Sequence, residues 1–309
     1  MRVRRAAGAA IAGVVLATTL VTVARNAHGQ ACCASAGLIV PTRLRSYEDV
    51  AVGLQARGRS VFGAFNAGGT YAAGGAGESE WALGQDFFAV ARLLGRGQLA
   101  LLVPFVETWR AVPGASSAGG GVGDVAMSAR WDVVETGERH PVPGVALLLG
   151  LTFPTGTAPE EAGDSLAAGS TGQGSFEGTA GVGLEQAWQP YFVAATFTAG
   201  LRTSRQVGGV RQSFAPRLTG LLAVGRMLPR GATIGVFTTA MLQGQSRDDR
   251  GAIAASELSL LTVGAAGTFS VSDHWRLQGT LSGNPPLTGA GRNQPTGAGL
   301  SLSIMRLWL

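Results

Sequence analysis

Residues 122–134 read Val-Gly-Asp-Val-Ala-Met-Ser-Ala-Arg-Trp-Asp-Val-Val. From Asp124 onward two faces separate with period two. Val125, Met127, Ala129, Trp131 and Val133 fall on one face; Asp124, Ala126, Ser128, Arg130 and Asp132 fall on the other. That period is the side-chain alternation of an extended strand, and helical spacings of three and four fit it less well. A soluble sandwich and a membrane barrel both alternate in this way. The first hides the apolar face, and the second offers it to lipid. The flanking sequence separates the two.

The same pattern recurs along the chain. In 191–203, Tyr191, Val193, Ala195, Phe197, Ala199 and Leu201 oppose Ala194, Thr196, Thr198, Gly200 and Arg202. In 274–283, Trp275, Leu277 and Leu281 oppose His274, Arg276, Gln278, Thr280 and Ser282. Strands are expected over 50–66, 79–92, 98–110, 122–135, 144–153, 175–188, 191–203, 213–227, 231–243, 257–271, 275–283 and 297–309. Tight gaps centre on Gly95-Arg96-Gly97, Gln189-Pro190, Pro229-Arg230 and Ser272-Asp273, with a slightly longer one at 136–143. Between them lie long gaps rich in Gly, Ser, Pro and charge at 67–78, 111–121, 155–174, 204–212, 244–256 and 284–296. Short turns on one side and long loops on the other mark an outer-membrane barrel. The expected fold is therefore all-β: a transmembrane antiparallel up-and-down β-barrel of about 12 strands, with ten or fourteen as the fallback counts. Pro104 sits inside one expected strand, and a closed barrel has no edge to hold it, so a bulge is expected there.

The N-terminus agrees with a secreted chain. Arg2, Arg4 and Arg5 precede an uncharged, largely apolar run from Ala6 to Ala24, and small residues follow at Ala27-His28-Gly29 and Gly29-Gln30-Ala31. Residues 1–30 read as a secretory signal peptide, 31–47 as a periplasmic N-terminal segment and 48–309 as the barrel. The localisation expected is the outer membrane of a Gram-negative bacterium, with its lipids as the surrounding partner. The only cysteines, Cys32 and Cys33, are adjacent and build no disulfide framework. Lipidation at Cys32 is the alternative to unmodified or glutathione-capped thiols, but the preceding Gly29-Gln30-Ala31 lacks the Leu-like residue such cleavage sites favour. The pI of about 10.2 misleads. All 24 basic residues are arginine, and four of them lie in the first 30 residues. The rest nearly balance the 19 acids, and no basic stripe points to nucleic acid.

Catalytic groups are scarce. Beyond the signal segment the histidines are His140 and His274, both at expected turns or strand ends. Asp248-Asp249 and Asp273-His274 fall at opposite ends of the expected barrel, out of reach of each other. No metal-ligand spacing, nucleophile–base pair or cofactor motif is present, and Gly119–Gly123 opens no helix that would make it a phosphate cradle. No enzyme and no cofactor are expected. The informative charges fall on the face assigned to the lumen: Asp86, Asp124, Arg130, Asp132, Glu177, Glu185, Arg202, Arg217 and Arg276. Their mixed signs suggest paired ladders, which either line a water-filled pore or fill and brace a narrow lumen. Arg130 is expected to tune ion selectivity, its replacement leaving assembly intact. The lumen face is otherwise read as mainly Gly, Ala, Ser and Thr, which leaves space. Trp81, Trp109, Trp131, Trp188, Trp275 and Trp308 fall near strand ends, where interface girdles sit.

Gly123-Asp124-Val125, followed by Met127, Ala129, Arg130 and Trp131, resembles a strand of the phenol meta-degradation (MetA-like) outer-membrane transporter family. Leu149-Gly150-Leu151-Thr152-Phe153-Pro154-Thr155-Gly156 is similar to that family's strand ending in Pro-Thr-Gly, and Gly291-Arg292-Asn293-Gln294-Pro295 to the stretch before its last strand. The chain departs from barrel habit by ending in Trp308-Leu309. The resemblance implies a channel or transporter for small hydrophobic or aromatic compounds, whose identity the motifs do not specify. The alternative is a structural or surface-interaction barrel with a blocked lumen and binding loops.

Overall fold

The computed structural model describes residues 42–135 and 142–309. The signal segment, Cys32, Cys33 and His140 lie outside the described residues. Twelve long strands form the wall: β1 (Val50–Phe65), β2 (Ser79–Leu93), β3 (Gly97–Val112), β4 (Ala126–Val134), β5 (Gly144–Thr152), β6 (Glu177–Trp188), β7 (Tyr191–Arg202), β8 (Arg217–Met227), β9 (Thr233–Gln243), β10 (Leu258–Ser272), β11 (Trp275–Gly283) and β12 (Gln294–Trp308). Each is antiparallel to its sequence neighbours, and β12 closes on β1 in pairs running from Val50–Trp308 to Phe65–Gln294. The result is a closed twelve-stranded antiparallel barrel. Closure leaves no unpaired edge, as a strand structure in lipid requires. Tight turns and the ends of β1 and β12 share one rim, the turn end; the longer connections share the other, the loop end.

The alternation read from sequence becomes an inside and an outside. In β5, Leu147, Leu149 and Leu151 are 50–59% exposed, whereas Ala146 and Leu148 between them are buried. Exposed Leu, Val, Phe and Ile side chains cover the outer face of every strand hairpin, and all six tryptophans are exposed near strand ends. In water this surface would be an aggregation hazard; in a bilayer it is the solvent-matched side. Arg306 lies outside near the turn end, its guanidinium 5.2 Å from the Trp308 ring centroid, so the charge sits at the aromatic belt.

Several expected loops contain strand, two of them over most of their length. The stretch 111–121 is a hairpin arm: Ala115–Val122 pairs with Phe105–Val112, and the turn is reduced to Pro113-Gly114. Its Gly-rich sequence carries little strand signal, and backbone pairing with β3 supplies what side chains do not. The stretch 204–212 likewise folds into a hairpin, Arg205–Val207 with Val210–Gln212, turning at Gly208-Gly209 with both φ positive. Consequently β8 starts at Arg217 instead of 213. Pro104 stays in register with β2. The irregularity falls on the neighbouring chain, where pairing steps from Leu102–Ala126 to Phe105–Val122 around Gly123–Val125.

The interior is not uniformly small. Phe88, Val90, Met305 and Leu307 form one buried cluster with Leu44, and Phe192, Leu221 and Met227 form another with Phe237 packed on it. Both fill the turn-end half. Three inward phenylalanines stand opposite a glycine in register: Phe88 with Gly53, Phe192 with Gly225, Phe237 with Gly264. A Cβ on any of those glycines would lie 2.4–2.5 Å from the ring, so the missing side chain is where the ring rests. The small-residue average read from the sequence concealed this distribution along the axis.

Candidate functional site

At the turn end the chain itself enters the barrel. Residues 42–48, ahead of β1, are buried at Thr42, Arg43, Leu44, Arg45 and Glu48. Arg43 is ion-paired with Glu185 of β6 and lies 3.6 Å from Asp132 of β4. Leu44 joins the apolar cluster on β1, β2, β3 and β12, and its N–H donates to the Gln98 side chain at 3.0 Å. Arg45 donates to the Gly231 carbonyl at 2.7 Å, across the mouth in the β8–β9 turn. Glu48 is ion-paired with Arg276 of β11. One short segment therefore touches most of the circumference through charges that are each 8% exposed or less. Arg130 completes the network at 2.8 Å from Asp132 and 3.2 Å from Glu185. Buried charges of this kind persist only when paired.

Arg130 is walled between two carboxylates at 7% exposure, the bracing arrangement of the two readings given for the inward charges. Arg43, Arg45 and Glu48 were not among the charges singled out from the sequence, because they precede the first strand and no periodicity places them.

At the loop end, the long β5–β6 connection lies against the inner wall. Asp124 accepts the N–H groups of Gly156 at 3.0 Å and Gln173 at 2.7 Å. Thr155 accepts the Val125 N–H and donates to the Gly123 carbonyl. The Gly-Asp-Val and Pro-Thr-Gly motifs are thus one structural node, and Asp124 is a loop anchor. Asp164 works similarly further out. It accepts N–H groups from Leu166, Ala168 and Gly169 and the Ser117 hydroxyl. Those donors, the Gly169 N–H foremost, hold its pKa down at about 2. Arg110 donates to the Leu166 and Ala167 carbonyls at 2.8 Å. Across the mouth, Glu177 lies 3.7 Å from Arg202 and 3.4 Å from Arg217, and both arginines donate to the Gln173 side chain.

Asp86 is buried and takes two contacts from Arg57, at 2.5 and 2.7 Å. Arg57 and Arg59 border a cavity of about 310 Å³ in the loop-end half, with Leu260, Thr262, Thr280 and Ser301 on its other sides. Arg57 stays 47% exposed at its side chain, so this part of the interior holds water-accessible charge. Neither arginine was among the charges singled out from the sequence, although both alternate with Leu54, Ala56 and Ser60 along β1. Among the described residues no group of three or more His, Cys, Asp or Glu could hold a metal ion. His274 is at the turn end, and Asp248-Asp249 sit in a hairpin at the loop end.

The model of the family described as "Putative MetA-pathway of phenol degradation" matches residues 63–304. The chain belongs to that family. Its fold is similar to that of the "COG4313 outer membrane channel from Pseudomonas putida F1", with a TM-score of 0.70 at 15% identity, over 86% of this chain and 99% of that one. The translocator domain of the autotransporter NalP from Neisseria meningitidis aligns with a TM-score of 0.49 at 12% identity, covering 84% of this chain and 88% of that one. No curated protein matches in sequence. The chain shares the barrel fold of that channel.

Proposed function

We propose that the protein is an outer-membrane channel for small solutes of about phenol's size, with residues 42–48 acting as a stopper at the periplasmic end. The observation that carries the reading is the axial asymmetry of the interior. The loop-end half holds an open cavity lined by arginine and hydroxyl side chains, and the turn-end half is closed by a segment of the chain itself packed among inward side chains of the wall. A wall-filled barrel would be sealed permanently; a terminal segment held by side-chain contacts can leave. The orientation follows barrel convention, with short turns and termini toward the periplasm. Support for the aromatic cargo class comes from the family's description.

The test is solute uptake and conductance in liposomes and planar bilayers, full-length chain against a variant lacking residues 31–48. The truncated form is expected to conduct more and to admit phenol-sized solutes faster. Equal, measurable conductance in both would remove the stopper. No conductance in either would remove the channel.

A second reading, a barrel whose interior stays filled while its loops bind a partner, is favoured by the two apolar clusters in the turn-end half. Deleting 158–172 discriminates: lost partner binding with unchanged permeability would support it.

A further inference from the structure

We propose that the loop-end cavity binds a small organic monocarboxylate, with Arg59 as the charge partner. The inference rests on the channel reading only in taking the cavity to lie on the solute's route.

The first argument is the charge balance. None of the residues lining the cavity is acidic. Arg57 is already neutralised by the buried carboxylate of Asp86. Arg59 has no carboxylate within ion-pair distance among the described residues; the hydrogen bond it makes there is to the Pro295 carbonyl, at 3.1 Å. Its other N–H groups remain available, on an exposed side chain facing the interior. The cavity therefore offers one uncompensated positive charge, which matches a single negative charge. A phosphate dianion would find only half its complement.

The second argument is that the wall makes room for these guanidiniums. Arg57 stands opposite Gly84 and Arg59 opposite Gly299 in the strand registers. A Cβ on Gly84 would lie 2.9 Å from the Arg57 guanidinium, and one on Gly297 would lie 3.2 Å from Arg59 Nε. Both arginines are thus laid across glycine on the neighbouring strand instead of projecting freely. A planar fork held against a wall is suited to a planar carboxylate, which it can meet with two parallel hydrogen bonds.

The third argument is size and the remaining lining. A volume of about 310 Å³ is at the small end of the ~300–1,000 Å³ range of ligand sites. Thr262, Thr280 and Ser301 supply hydroxyls that both donate and accept, and Leu260 supplies an apolar contact. A compact ring or short chain bearing one carboxylate fits that combination.

The experiment is equilibrium binding to purified full-length protein in detergent micelles, read by fluorine NMR. The probes are 4-fluorobenzoate and its neutral isostere 4-fluorobenzamide. Saturable binding of the benzoate is expected, at least tenfold tighter than the amide and weakened by added salt. Arg59→Gln should weaken it tenfold or more, Arg59→Lys should restore part of it, and Arg226→Gln, on the outer face, should change nothing. Heat-modifiable gel migration checks that each variant is folded. Equal binding of amide and benzoate, no saturable binding, or an unaffected Arg59→Gln would overturn the proposal. Inorganic phosphate competing as well as benzoate would overturn the choice of a monocarboxylate. A protein that conducts but does not bind benzoate loses this site and keeps the channel. One that binds benzoate but passes no solute loses the channel and keeps the site.

Discussion

Glu185 is the residue on which the stopper's hold is most concentrated. Its carboxylate is 1% exposed and meets two guanidiniums, Arg43 from the N-terminal segment and Arg130 from β4. Glu185→Gln keeps the shape and removes the charge. The two buried arginines then share Asp132, at 3.6 Å from Arg43 and 2.8 Å from Arg130. Removing one partner of a buried pair costs about 3–5 kcal/mol, because the orphaned charge stays desolvated. At this burial solvent screening does not reduce that figure. The barrel wall cannot move Arg130 into water, but the N-terminal segment can take Arg43 there. Leaving the barrel re-exposes Leu44, which costs about 1.5–3 kcal/mol, and breaks the Glu48–Arg276 pair. Those costs are the same in parent and variant, so the mutation shifts the bound–released equilibrium by its own 3–5 kcal/mol, or about two to three and a half powers of ten. The assay is labelling of Leu44→Cys by a bulky maleimide, in a background where Cys32 and Cys33 are serine. Leu44 is 2% exposed in the seated segment, so labelling reports release. Labelling should accelerate by at least a hundredfold in Glu185→Gln, together with higher conductance. Unchanged labelling in a variant that still migrates as a folded barrel would refute the reasoning.

Other outcomes follow from the same contacts. Arg130→Leu leaves Asp132 and Glu185 sharing Arg43, so it should destabilise the barrel by about 3–5 kcal/mol in denaturant unfolding instead of merely changing ion selectivity. Met127→Arg puts a charge on the outer face of β4 and should cost roughly 2–4 kcal/mol near the midplane, read as lost folding into vesicles. Gly172→Ala would bring a Cβ to 2.3 Å from an Asp124 oxygen and 2.8 Å from the Gly156 Cα, so it should loosen the 153–176 loop and raise its cleavage by proteinase K while the barrel persists. The folded-state pKa of Asp164, about 2, lies below its ordinary value of 3.8, so its contribution to seating that loop is complete above about pH 4. It is lost as pH falls through about 2, and Asp164→Asn should show the acid phenotype at neutral pH by the same proteolysis assay.

The sequence by itself determined the class, the strand count and the inside–outside phase. Those are local quantities: period-two alternation at Val125, Met127 and Trp131, tight turns at Gln189-Pro190 and Pro229-Arg230, and six tryptophans near strand ends. Each is visible within a dozen residues, because a strand in a bilayer must sort its side chains one by one. Three features were decided only by tertiary structure. The Gly119–Gly121 run became strand because β3 lay beside it with free backbone groups, and glycine carries no side-chain record of such a partner. The phenylalanine–glycine pairs needed the strand registers, since Phe88 and Gly53 are unrelated along the chain and opposite across the sheet. The stopper needed both: Arg43 and Glu185 are 142 positions apart, and only closure of the wall brings the last buried carboxylates around a segment with no period of its own. Charge sign and burial preference were written at each residue; the pairing was set by which strands the closed barrel made neighbours.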